Sequence, residues 1–476
     1  MKKYLLFAAA FCGHAVFGQE LVGYGLVFHP DRYVSQRLTV DGKVIRIRAY
    51  ENIVDVAHPV DTAYEKINIY IPEEYFEGRS VNGYTAATAP IFYPNMVGGY
   101  MAAGPATALA SGRGGFPGGP GNRANAIALA LARGYVVASA GARGRTTRDS
   151  SGIYTGKAPA DIVDLKAGIR YLKYNDSRMP GDANKIVSNG TSAGGALSVL
   201  LGATGDNPDY ELYLNALGAA DASDDIFAVS AYCPITDLDH ADMAYEWQFS
   251  GISDNGLSAA QIRVSKQLKQ QFPTYLNSLH LTGKDGSLLV LDGDGNGSFR
   301  ELVKSYVLVS AQKALVAGKD LSKLSWLKIN DGRVSDLDFD AYVRYLQRMK
   351  TPPAFDALDV SAGGNQLFGS DRTDRQHFTD FSSQHSTVKA STADAIVVRM
   401  MNPMYYIGHT QTTTARHWRI RHGTKDNDTS LAIPVILATY LQNKGFDADL
   451  ELPWDRPHSG DYDLDELFRW IDGICK

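Results

Sequence analysis

A mostly parallel, doubly wound α/β sheet, interrupted late in its order by a large and mainly helical insertion, is the fold class this sequence predicts. Three observations predict it. Short apolar runs alternate with helical patterns through the first half of the 476-residue chain, the signature of βαβ units. The alternation stops near Thr236 and resumes after Asn402. One strand-to-helix junction carries Gly190-Thr191-Ser192-Ala193-Gly194, a serine held between two glycines.

The elements follow in order. Residues 1–18, "MKKYLLFAAAFCGHAVFG", set two lysines before an apolar stretch and end in small residues. This is the pattern of a cleavable secretory signal, too short and wrongly flanked for a membrane span, so a secreted or periplasmic protein is expected. Residues 19–235 form the first part of the core. In them "EKINIYIP", "PIFYPN", "GYVVASAGARG", "KIVSN" and "FAVSAYCP" read as strands, and "ANAIALALARG" and "ADIVDLKAGIRYLKYN" as helices. Right-handed crossovers bring the carboxyl ends of such strands to one edge. Residues 236–402 carry the helical patterns "AAQIRVSKQLKQQFPTYLNSL" and "FRELVKSYVLVSAQKAL", with one short apolar run, "SLLVLDG". An insertion of this kind between two halves of one sheet is expected to form a lid. Residues 403–476 return to the core through the strand "ARHWRIRHGT", the helix "LAIPVILATYLQNKG", the strand "ADLEL" and the helix "DLDELFRWIDGI".

Composition narrows the partners. A formal net charge of -5 shows no basic bias toward nucleic acid or anionic membranes. Past the signal only Cys233 and Cys475 remain, so disulfides are not expected to hold the fold, and two free thiols are.

The glycines around Ser192 have a steric logic. A tight turn from strand to helix forces the serine into an unfavourable backbone conformation, and side chains two residues before or after would collide with it. Such a turn reads as the nucleophile elbow of an α/β-hydrolase, with the serine hydroxyl above the strand ends, or else as a small-residue helix start beside a sheet. A serine needs a base and an orienting acid, in the chain order serine, aspartate, histidine. Asp426 follows a strand and His458 lies between the final strand and final helix. Asp428 is the rival acid, otherwise a substrate contact in the same pocket; His422 and His240 are the rival bases. Oxyanion donors are expected from the Ala193 amide and from Gly98 or Gly99 in the glycine-rich loop after "PIFY".

Taken together, "PNMVGGY", "GARGRT", "GKAPADIVDLKAGIRYLKYN", "NGTSAGGALS", "CPITDLDHADMAYEW", "RHGTKDNDTSLAIPVIL" and the terminal "HSGDYD" resemble the bacterial tannases and their feruloyl-esterase-like relatives. The resemblance implies a serine esterase that releases phenolic acids from plant esters, small-molecule substrates, with Ser192, Asp426 and His458 as its triad and no organic cofactor. It also implies that Lys350 and Asp428 hold galloyl hydroxyls. The stretch "SAGGNQLFG" has no carboxylate where the resemblance calls for a glutamate, which leaves hydroxycinnamoyl and other aryl esters open. Two rivals come from other classes: a secreted prolyl-type peptidase, whose usual extra domain has no room before the first core strand, and a non-catalytic binding protein, which would have lost the serine or histidine.

One motif stands apart. "DGDGNGSF" places Asp292, Asp294 and Asn296 at alternate positions before Gly297, as in the first half of a calcium loop, with Val303 in place of the closing glutamate. A structural calcium and a plain Asp/Gly turn are both consistent with it.

Overall fold

The computed structural model describes residues 23–109 and 126–476, so the signal expected over residues 1–18 lies outside them. Among the described residues no helix is long and apolar enough to cross a membrane.

The strands are β1 (Val34–Val40), β2 (Lys43–Ile53), β3 (Ile67–Pro72), β4 (Pro90–Pro94), β5 (Val136–Ala140), β6 (Asp182–Thr191), β7 (Ala228–Tyr232), β8 (Leu327–Asn330), β9 (Arg333–Leu337), β10 (His417–Arg421) and β11 (Asp447–Glu451). Nine of them form one sheet in the order β1-β2-β3-β5-β4-β6-β7-β10-β11. From β5 to β11 every neighbouring pair is parallel, whereas β1, β2 and β3 run antiparallel at the other end. Strands β4, β5 and β7 are buried at every position, because helices cover both faces of a parallel sheet, and β3 beside them is buried throughout as well. This is why they read as continuous apolar runs.

The helices that position the site are α1 (Ala126–Ala132), α2 (Ala160–Tyr174), α3 (Ala193–Ala203), α4 (Leu238–Phe249), α5 (Ala259–Ser278), α6 (Ser298–Val316), α7 (Phe339–Leu346), α8 (Ala432–Asn443) and α9 (Leu464–Cys475). Helix α2 is charged yet buried, and most of its charges are paired. Lys166 and Arg170 meet Asp224 at 2.6 and 2.9 Å, and Asp164 meets Arg143 at 2.7 Å. Removing one partner of such a pair strands a buried charge, which costs about 3–5 kcal/mol.

Strands β7 and β10 are adjacent in the sheet, and the chain between them adds no strand to it. That segment carries α4 to α7 and a separate β8–β9 hairpin. Trp247 gathers its core, with the rings of Phe272, Phe299 and Phe339 5.3, 6.0 and 5.9 Å away. The run "SLLVLDG" is no strand. Beyond an isolated bridge from Thr282 to Leu288, side chains satisfy its backbone. Asn277 both accepts from the Leu291 amide at 2.9 Å and donates to its carbonyl at 2.8 Å, and Ser298 Oγ accepts from the Val290 amide.

Candidate active site

Ser192 follows β6 and caps α3 with φ 62° and ψ -124°, a region that non-glycine residues enter only under strain. The surrounding glycines are sterically required. A Cβ on Gly190 would lie 2.2 Å from the Gly194 carbonyl oxygen, one on Gly194 2.6 Å from that of Val97, and one on Gly195 2.7 Å from that of Tyr232. The Ser192 amide donates to the Tyr232 carbonyl at 2.9 Å, which ties the turn to the end of β7.

Two loops converge on this turn. The first follows β10 and holds Asp426, fully buried. The second follows β11 and holds His458, whose Nδ1 lies 2.8 Å from Asp426 Oδ2. Backbone bonds join the loops: the Thr424 amide donates to Pro453 and the Lys425 amide to Arg456. The His458 loop also sits directly on the serine turn. Gly460 packs so closely on Thr191 that a Cβ would lie 1.8 Å from its hydroxyl oxygen. Asn189 Nδ2 donates to Asp461 at 3.0 Å, and Cys233 Sγ to the Ser459 carbonyl at 3.4 Å.

The electrostatics follow from burial and neighbours. Burial lowers the pKa of the His458 imidazole, but the charge and hydrogen bond of Asp426 outweigh it and leave the ring above its ordinary value. Burial raises the Asp426 pKa, but the charges of His422 and His458 and the bonds from His458 and Cys233 hold it well below the ordinary carboxylate range. Burial also lowers the pKa of His422 and so favours its neutral form.

The rivals have other places. Asp428 turns away, its amide donating to Asp426 Oδ1 at 2.9 Å and its carboxylate meeting Lys350 Nζ at 2.9 Å. Lys350 Nζ also donates to the Asp428 carbonyl at 2.7 Å and lies 4.2 Å from the centre of the Phe355 ring. His422 stands 3.8 Å from Asp426, with neither ring nitrogen hydrogen-bonded among the described residues. His240 pairs with Asp237 at 2.8 Å and stacks on Tyr275. Cys233 and Cys475 are both free and buried.

The loop with Gly98 and Gly99 is fastened to the serine turn by Asn95, which the sequence reading did not single out. Its amide donates to the Asn189 carbonyl at 3.0 Å, and its Nδ2 to the Gly194 carbonyl at 2.9 Å and to Ser198 Oγ at 3.0 Å. Gly99 has φ 57°, so the loop bends back beside α3. The amides of Gly98, Gly99 and Ala193 donate to no acceptor among the described residues. The signal for Asn95 was its place between β4 and the glycines.

A second Ser-His-Asp arrangement lies in the insertion. His377 Nδ1 is 2.7 Å from Asp356 and its Nε2 2.8 Å from Ser386 Oγ. It is a strut. Asp356 Oδ2 also accepts from the amides of Phe378 and Thr379 and from Thr379 Oγ1, and Ser386 directs its proton to the Val388 carbonyl at 2.8 Å.

The Asp292 loop closes on itself. Asp292 Oδ1 accepts from the Asp294 and Asn296 amides at 2.9 Å each, and Arg300 donates to Asn296 Oδ1. Among the described residues, the histidine, cysteine and carboxylate groups that converge closely enough for an ion are Cys233, His422 and Asp426, and Asp237, Asp239 and His240. A groove of about 610 Å³ runs between α6 and β11, lined by Tyr306, Val309 and Trp454 among others, and none of Ser192, Asp426 and His458 lines it.

Comparison with known proteins agrees with this picture. The BD-FAE family model matches residues 118–294. The chain is 50% identical to tannin acyl hydrolase from Lactobacillus plantarum, covering 95% of this chain and 99% of that one at a TM-score of 0.90. It is 48% identical to Fusobacterium nucleatum tannase, with 95% and 100% covered at a TM-score of 0.89. A structure of tannin acyl hydrolase in complex with 3,4-dihydroxybenzoate is 51% identical, with 95% and 99% covered at a TM-score of 0.90. A shorter match, 41% identical over 56 residues, is to esterase LipC of Mycobacterium tuberculosis and spans 12% of this chain and 14% of that protein.

Proposed function

The chain belongs to the tannase family of α/β-hydrolase carboxylic ester hydrolases, and from that premise we propose that it hydrolyses aryl esters of hydroxylated benzoic acids through an acyl-enzyme on Ser192. The observation that carries the reading is the 2.8 Å contact of His458 with buried Asp426, in a loop packed on the strained serine turn. His458 takes the proton of Ser192 Oγ as the oxygen attacks the acyl carbon. It returns that proton to the leaving alcohol, then activates water to release the acid. Asp426 holds the imidazole in the tautomer that leaves Nε2 free to accept. The amide of Ala193 and that of Gly98 or Gly99 stabilise the developing oxyanion, and Asn95 holds the glycine loop in place.

Lys350 and Asp428 take the ring hydroxyls. The paired carboxylate accepts from phenolic donors, and the ammonium donates to a hydroxyl or phenolate oxygen. The complex of the related tannin acyl hydrolase with 3,4-dihydroxybenzoate supports a ring of that kind. The insertion acts as a lid: Lys350 comes from it and Asp428 from the core. The substrate is a small soluble ester, and the expected signal sequence supports action outside the cytoplasm. A calcium in the Asp292 loop would be structural and takes no part in the chemistry.

The test compares two substrates. Lys350→Ala and Asp428→Asn each lower kcat/KM on methyl protocatechuate by the equivalent of about 1.5–3 kcal/mol, the magnitude of a lost charged hydrogen bond. On methyl benzoate, where those bonds never form, the loss is much smaller. Equal losses on the two esters contradict the assignment of the ring site.

A further inference from the structure

Arg145 follows β5, and its amide donates to the Tyr100 carbonyl at 2.9 Å. Its Nε lies 3.3 Å from Met101 Sδ, and the Met101 amide donates to the Gly98 carbonyl, so the guanidinium stands one turn from the proposed oxyanion donors. Its far end reaches the insertion. A Cβ built on Gly363 would lie 2.3 Å from Arg145 Nη1, so the glycine leaves the space that the guanidinium takes. Gly364 abuts the carbonyl of Phe355, and the Phe355 ring carries Lys350 Nζ. A run of contacts through Gly363, Gly364 and Phe355 therefore joins Arg145 to Lys350, the partner of Asp428.

Among the described residues no carboxylate pairs with Arg145, and the nearby carboxylate whose field reaches it, Asp374, is engaged by Lys157 at 3.0 Å, Gln366 at 3.1 Å and Arg375 at 3.4 Å. Arg375 adds a second positive charge, while its own Nη1 is occupied by the carbonyls of Val360 and Ser361. Burial and this like charge both push the Arg145 guanidinium below its ordinary value. A half-buried guanidinium beside another cation and without an anion is complementary to one.

The geometry points to Arg145 as a specificity-determining residue that binds a carboxylate on the ester substrate, carried by either the acyl ring or the leaving alcohol. That the ligand is a substrate rests on the esterase reading; the binding itself rests on the position and the unpaired charge of the guanidinium. It turns the missing glutamate of "SAGGNQLFG" into a change of preference, from rings that donate hydrogen bonds toward substrates that carry negative charge.

The test measures affinity by calorimetry on the Ser192→Ala protein, which keeps each ester intact. One pair varies the acyl ring, ethyl 3-carboxybenzoate against ethyl 3-carbamoylbenzoate. The other varies the alcohol, the protocatechuate ester of glycolic acid against that of glycolamide. In at least one pair the carboxylate member binds about tenfold or more tightly than the amide, as a charged hydrogen bond gives, and the pair that responds identifies the source. Adding Arg145→Gln abolishes the ratio while leaving the amide members within about twofold. Equal affinities within both pairs, or a ratio that survives Arg145→Gln, overturn the proposal. Wild-type protein that binds the carboxylates in this way yet turns over none of the four esters would overturn the esterase reading instead.

Discussion

At His458 two opposing effects decide how the site responds to pH. Burial alone would make the imidazole a weaker base, but the hydrogen bond and charge of Asp426 reverse that and raise its pKa. In the proposed mechanism the neutral ring is the form that accepts the serine proton, so activity is lost as pH falls through this raised pKa. The acid limb of kcat/KM is therefore centred above the ordinary histidine value of about 6.5. Asp426→Asn removes the main charge that favours the imidazolium and leaves burial opposed only by the weaker field of Asp428, so the limb moves to lower pH while the rate falls steeply. A pH profile on methyl protocatechuate checks both shifts, and an unmoved limb in Asp426→Asn would show that Asp426 does not set the histidine. His422, nearer to Asp426 in sequence, was a reasonable rival by spacing alone. What separates the two histidines is hydrogen-bonding reach, 3.8 Å against 2.8 Å, and no sequence pattern encodes that.

Among the elements, the insertion depends on one carboxylate. Asp356 is fully buried and accepts from His377, Asn365, Phe378 and Thr379. Asp356→Ala leaves several buried donors without an acceptor, each costing about 1–3 kcal/mol. We expect a fall in stability of more than about 3 kcal/mol, read as a lower denaturant midpoint, with early proteolytic cleavage between residues 350 and 400. Unchanged stability and protease resistance would show that the network is dispensable. The same scale shows where sequence patterns gave too little. Both hairpins, β1–β2 and β8–β9, passed unread although each turns on an Asp-Gly pair with positive φ, Asp41-Gly42 and Asp331-Gly332, the strongest short-range hairpin signal. Their strands carry charged residues on exposed faces, as in "KVIRIRAY" and "RVSDL", so they lack the apolar runs that marked the parallel strands. "SLLVLDG" failed in the opposite way. It has the apolar run, but Leu289 and Leu291 are buried in the packing of the insertion while side chains satisfy its backbone.

For the molecule as a whole, the parallel half of the sheet explains why so much of the site was legible. Strands β6, β10 and β11 run in one direction, so residues placed just after each of them in sequence must arrive at one edge in space. Ser192, Asp426 and His458 could be chosen by that rule before any distance was known. Asn95, which fastens the glycine loop, and Arg145, which spans from that loop to the insertion, depend on contacts between elements far apart in the chain, and no local pattern announces those. The central claim is that Ser192 and His458 act as one catalytic unit at this edge. Its most direct measurement is kcat/KM on methyl protocatechuate for Ser192→Ala, His458→Ala and the double variant. The account predicts that each single substitution lowers the rate on the order of 10⁴-fold or more and that the double variant is scarcely slower than either. A Ser192→Ala protein that retains substantial activity, or losses that multiply in the double variant, would contradict it.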